Sequence, residues 1–175
     1  AVEGNIESLA SFPMLPDIDK KGKMASVLKN GQPILVQVAK EAISTKGPRL
    51  TCEFSLPGQY LILIPFANYV SISRKIESGE EKKRLRVITE SIRPANFAVI
   101  LRTAAEGKDL AAIKGDMDDL IAKWDGMIRA AVKAKPPKKV LSEDDRTTSI
   151  LRDMLSIGFN SIHTDDKDTY DEISE

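Results

Sequence analysis

Phe97 to Leu101 is apolar at every position and reads as a short buried strand. It gives way at once to Arg102 and Thr103. Ala-Ala-Glu-Gly-Lys then leads into a long helical pattern. An arginine and a hydroxyl therefore stand where a strand hands over to a helix. Such a junction suits an anion, because helix N-terminal amides are unpaired and carry partial positive charge. The guanidinium adds a planar fork that fits a phosphate bidentately. The competing reading, commoner for an arginine at a strand end, is a surface ion-pair partner.

The chain has 175 residues, enough for one or two domains, with 42% apolar and 30% charged residues. This is a globular composition with ample core material. Lysine and arginine balance aspartate and glutamate at zero net charge, so any grip on nucleic acid must come from local patches. Cys52 is the single cysteine, which excludes a disulfide framework and a multi-cysteine zinc site. No apolar run is long enough for a membrane span, and no signal-peptide pattern is present. The chain begins at Ala1 rather than Met, from which a piece of a longer protein is expected.

Residues 1–30 are weakly patterned. From Gln32, Ile34, Val36 and Val38 fall at period two, Glu41 to Pro48 reads as a turn, and Leu50, Cys52 and Phe54 share a face. This predicts an antiparallel hairpin with one buried face. Lys40, Lys46 and Arg49 in the turn region suit either RNA or plain solvation. Pro57 and Gly58 break the chain. Tyr60 to Ile64 is apolar on both faces, which predicts a central, covered strand. A short strand from Val70 to Ile72 ends at Ser73 and Arg74. Ser78 and Glu81 form a capping box opening a helix with Leu85, Ile88 and Ile92 on one stripe; Pro94 stops it.

A helix is expected from about Glu106 to Lys133, roughly 35–40 Å long. Its stripe is Leu110, Ile113, Met117, Leu120, Trp124, Ile128 and Ala131. The stripe is core or, alternatively, a coiled-coil or dimer face. Beyond Pro136 and Pro137, a strand entry is expected over Lys138–Leu141, a helix from about Ser142 carrying Ile150, Leu151, Met154 and Leu155, an edge strand over Ser161–Thr164, and a last helix in the acidic tail.

Chemistry is sparse. His163 is the only histidine and has no cysteine or second histidine near it, which argues against a metal or triad role. No phosphate-loop or dinucleotide fingerprint occurs. Asp116, Asp118 and Asp119 lie within one helical turn and could meet a cation, but they do not all share a face, and a solvated polar face is the favoured reading. Glu143, Asp144 and Asp145 suit a helix start.

The stretch GQPILVQVAKEAISTKGPRLTCEFSLPGQYLILIPF, followed by VSISRKI and by SIRPANFAVILRTAAEGK, resembles the ribonuclease E/G family. The likeness is dense from about Asp17 to Ala131 and weaker beyond. It implies an α+β chain: a partial OB-type β-barrel, a small βα sensor layer, a long helix and a partial ribonuclease H-like α/β segment. The implied divisions are 1–57, lead-in and partial RNA-binding barrel; 58–108, sensor of the RNA 5′ end; 109–135, long helix; and 136–175, ribonuclease H-like segment. By resemblance, Arg102 and Thr103 hold a terminal 5′-monophosphate, supported by Arg74 and the backbone at Ile62, and Lys46 contacts RNA in the barrel.

The resemblance further implies a cytoplasmic endoribonuclease of RNA processing and decay, acting on single-stranded RNA that is preferably 5′-monophosphorylated. Its Mg²⁺ would be held by carboxylates beyond Glu175, so residues 1–175 are expected to be inactive and to need no cofactor. A homo-oligomer is a further expectation. The competing readings are a non-enzymatic RNA-binding module and a helical assembly module built on the Leu110–Ile128 stripe.

Overall fold

The computed structural model describes residues 28–142 and 160–174. The helix expected after Ser142 and its apolar face lie outside them. The chain divides into two compact units, Ala1–Phe54 and Ser55–Glu175.

In the first unit, β1 (Gln37–Lys40) pairs antiparallel with β2 (Arg49–Thr51), matching Val38 to Leu50. The hairpin is as expected, but its buried face is not. The ladder begins at Gln37, and its register shifts between Val38 and Lys40, which breaks strict alternation. Val38 and Leu50 are 55% and 52% exposed, and burial falls instead on the flanking Leu35 and Phe54. A two-stranded ribbon has no second layer of its own to cover a face. Cys52 is a free thiol whose sulfur sits 3.7 Å from the Leu35 carbonyl oxygen, and burial pushes its pKa up.

The second unit is built on a four-stranded sheet. Its strands are β3 (Leu56–Pro57), β4 (Leu61–Pro65), β5 (Val70–Ile72) and β6 (Phe97–Leu101), in the order β3-β4-β6-β5. Strand β4 runs antiparallel to β6, matching Leu61 to Leu101. Strand β5 runs parallel to β6. That parallel pairing requires a crossover, supplied by α1 (Gly79–Ile92). Helix α2 (Leu110–Lys133) packs on β3 and β4, α1 packs on β5, and the two helices touch, so both lie on one side of the sheet.

The core lies between them. Leu61 and Leu63 of β4, Val99 and Leu101 of β6, Leu85 of α1, and Ile113, Met117 and Trp124 of α2 are fully or almost fully buried. Strand β4 is central, but it is not equally covered on both faces. Leu61 and Leu63 are buried under the helices, while Ile62 and Ile64 on the other side are half-buried.

Two helix starts differ from expectation. Ser78 caps α1 by accepting from the Glu81 N–H, but the Glu81 carboxylate does not complete the capping box; both its oxygens are engaged by Arg84 and Gly107. Helix α2 begins at Leu110 because the Asp109 carboxylate accepts from the Ala112 N–H. Along α2, Leu110 is 46% exposed and Met127, not Ile128, is buried. The stripe is core within this chain, which disfavours its use as a free assembly face. After Lys133, neither Lys138–Leu141 nor Ser161–Thr164 forms a strand; a last helix, α3, covers Lys167–Ser174. The Asp166 carboxylate accepts from the N–H and hydroxyl of Thr169, and these bonds hold its pKa down. The chain is thus α+β with two sheets and one long helix, and its described hairpin does not close into a barrel.

Candidate nucleic-acid interface at one end of the sheet

Because β5 and β6 are parallel, Ser73 and Arg102, the residues after each strand, emerge at the same end of the sheet. Strand β4 begins at that end, since Leu61 faces Leu101. The Gly58–Leu61 turn, the Ser73–Arg74 corner and the Arg102–Thr103 junction are therefore neighbours, though spread over more than forty residues of sequence.

The hydrogen bonds are specific. The Arg102 N–H donates to the Tyr60 carbonyl at 2.8 Å, and its guanidinium donates through Nη1 to the Gly58 carbonyl at 2.7 Å. Thr103 reaches the other way, its Oγ1 lying 3.0 Å from Ser73 Oγ. The Ser73 N–H donates to the Leu101 carbonyl at 2.8 Å, and its hydroxyl accepts from the Lys75 N–H at 3.3 Å. Arg102 is half-buried and Thr103 is exposed, so the junction opens to solvent. Arg74 is exposed at the turn after β5, and Ile62 is half-buried, paired with Ile100 one step in from the sheet end.

The anion-attracting helix start expected after Thr103 takes another form. Thr103–Ala105 is a single 3₁₀ turn, closed by the Ala105 N–H to the Arg102 carbonyl and the Glu106 N–H to the Thr103 carbonyl. The long helix begins only at Leu110, and Asp109 already supplies a carboxylate to its amides. The junction at Thr103 therefore lacks the long-helix N-terminus expected there.

A second set of contacts fixes the loop after the 3₁₀ turn. The Glu81 carboxylate accepts two bonds from Arg84, each 2.7 Å, and one from the Gly107 N–H at 2.8 Å. Arg84 also donates to the Lys108 carbonyl at 2.8 Å. The Arg84 bonds, then the Gly107 bond, pull the Glu81 pKa down to about 2. Gly107 takes φ +71°, a left-handed conformation open to glycine. Lys108 Nζ sits 5.3 Å from the Tyr60 ring centroid, a cation–π contact that ties the loop to the Gly58–Leu61 turn.

Of the residues expected to act, Arg102, Thr103, Arg74 and Ile62 all belong to the second unit, near this sheet end. Lys46 belongs to the first unit, exposed beside a tight turn in which Ile43 and Lys46 exchange backbone hydrogen bonds of 3.1 and 3.0 Å. Sequence reasoning missed Ser73 and, above all, Asp116. The Asp116 carboxylate accepts from the N–H groups of Gln59, Tyr60 and Leu61 at 3.0, 2.8 and 3.0 Å. A signal existed: Asp116 stands three residues from Ile113 and four from Leu120, so it lies beside the buried stripe, where a carboxylate needs partners. Asp118 differs, being exposed and paired with Lys114 one helical turn away.

Among the described residues, no group of three or more His, Cys, Asp or Glu side chains is placed to hold a metal ion. The Mg²⁺ implied by resemblance has no donor set there. No described helix is long and apolar enough to cross a membrane.

The model of the Ribonuclease E/G family matches residues 55–175, the whole of the second unit. Ribonuclease E of Nostoc sp. is 39% identical over 142 residues, covering 81% of this chain and 21% of that protein. Ribonuclease G of Haemophilus influenzae is 32% identical over 156 residues, covering 89% and 32%. Ribonuclease G of Escherichia coli K12 is 30% identical over 152 residues, covering 87% and 31%. The chain spans between about a fifth and a third of the length of these relatives. A match across the entire sheet, its two helices and the Arg102–Thr103 junction leaves one conclusion: this chain belongs to the ribonuclease E/G family.

Proposed function

We propose that this chain is the RNA-binding and 5′-end-sensing part of a single-strand-specific endoribonuclease that acts in RNA processing and decay in the cytoplasm. Arg102 and Thr103 take the terminal 5′-monophosphate, Arg74 and the backbone at Ile62 support it, and Lys46 contacts RNA elsewhere. The observation that carries the reading is the solvent-open sheet end, which carries a guanidinium held by the Gly58 carbonyl on one side of β6 and a hydroxyl held by Ser73 on the other. Charge-assisted hydrogen bonds from such groups favour a dianionic phosphate over a hydroxyl. A triphosphate brings more bulk and charge to the same place and is disfavoured. Cleavage in the whole protein is metal-assisted phosphodiester hydrolysis, and residues 1–175 alone do not cut RNA.

The test measures affinity for single-stranded oligonucleotides that differ only in a 5′-monophosphate, 5′-triphosphate or 5′-hydroxyl. The unsubstituted chain is expected to prefer the monophosphate by about tenfold, which corresponds to one charge-assisted hydrogen bond. Arg102→Ala and Thr103→Val are expected to lose the preference. Equal affinity for all three ends overturns the reading.

A further inference from the structure

We propose that Asp116 is a positioning residue for the same site, fixing the Gly58–Leu61 turn on which the Arg102 guanidinium is braced. The inference rests on the 5′-phosphate reading above. The three N–H groups that Asp116 gathers come from consecutive residues, a concave backbone arrangement suited to an anion. An ionised carboxylate is acceptor-only, with lone pairs enough for all three. The group is carried on α2, whose neighbouring Ile113, Met117 and Leu120 are buried, so it is held on a rigid element.

Gly58 carries an independent sign of the arrangement. A Cβ built there would lie 2.5 and 2.7 Å from the two Asp116 carboxylate oxygens and 2.8 Å from their carbon. The Gly58 backbone is outside the left-handed region, so glycine is required by the approach of Asp116 and not by its own conformation. The same Gly58 offers its carbonyl to Arg102, and its neighbour Tyr60 offers the carbonyl that receives the Arg102 N–H. Asp116 therefore acts on one side of the turn and Arg102 on the other. Loss of the carboxylate leaves three amides to find water, which lets the turn move and takes the Gly58 brace away from the guanidinium.

The test reads the ratio of affinities for 5′-monophosphorylated and 5′-hydroxyl RNA in the full chain. Partial unfolding lowers both affinities equally and leaves the ratio alone. Asp116→Ala is expected to cut the ratio about tenfold, towards that of Arg102→Ala. Asp116→Asn, which turns a donor towards one of the amides, is expected to be intermediate; it carries the comparison should the alanine variant not fold. Gly58→Ala is expected to lower the ratio by itself and to add nothing in the Asp116→Ala background, since the clash is then gone. A ratio unchanged in both Asp116 variants, or a Gly58→Ala loss that persists without Asp116, overturns the positioning role while the 5′-end reading stands. An unsubstituted chain that does not discriminate overturns both.

Discussion

The hydroxyls of Ser73 and Thr103, thirty residues apart in sequence, meet at 3.0 Å because two parallel strands end side by side. The Thr103 hydroxyl is thus held by a partner on another strand. Ser73→Ala removes that partner at a half-buried position beside an exposed threonine, where a lost hydrogen bond costs about 1 kcal/mol. The variant is expected to keep its unfolding midpoint nearly unchanged while weakening the 5′-monophosphate preference less than Thr103→Val does. Parallel denaturant unfolding and RNA-binding measurements check both halves.

Glu81 supplies a pH dependence of known sign. Its carboxyl pKa is depressed to about 2, so the folded state holds fewer protons there than the unfolded state at mildly acid pH. The stabilisation is full above the unfolded value near 4.5 and fades as pH falls from about 5 towards 2. Arg84 stays charged throughout and adds nothing to this window. Glu81→Gln is expected to flatten the acid limb of a plot of urea midpoint against pH. An identical limb in the variant would remove Glu81 as its source.

Two glycines are expected to respond in opposite directions. Gly107 sits at φ +71°, so Gly107→Ala is strained and destabilises the chain by about 1 kcal/mol. Gly115 lies inside α2 with nothing within 4 Å of a built Cβ. Gly115→Ala therefore adds helix propensity without a clash and stabilises by about 0.5–1 kcal/mol. Thermal unfolding of the two variants should move the midpoint down and up respectively.

Trp124 is 1% exposed and meets Phe66 edge to face, with ring centroids 5.6 Å apart. Trp124→Ala is expected to cost about 3–5 kcal/mol. Val87, 68% exposed on α1, is the matched control, and Val87→Ala should fall within about 0.5 kcal/mol of no change. Denaturant unfolding that gives similar losses for both would contradict the assigned core.

The parts legible in the sequence were those governed by periodicity and by local motif. The five-residue apolar run became β6, the three-and-four spacing from Ile113 to Trp124 became the buried face of α2, and the Arg102–Thr103 junction stands at a sheet end. What stayed hidden depends on partners far away in sequence. Glu81 matched a capping box, yet a bidentate arginine and a loop amide outcompete one helix-start amide for its oxygens. Val38 and Leu50 alternate correctly, but alternation does not say whether anything covers them. Asp116 was grouped with Asp118 and Asp119 as surface charge, although its helical phase sets it beside Met117.

Asp109 already occupies an amide in the first turn of α2, and Asp116 those of the Gly58–Leu61 turn, so an incoming anion finds those amides internally neutralised. Binding there then draws on a few discrete cations, and only as many condensed counterions leave the RNA as there are such cations. With no net charge on the chain, affinity plotted against salt on logarithmic axes should be shallow for the body of an oligonucleotide, with the terminal phosphoryl group adding a separate increment.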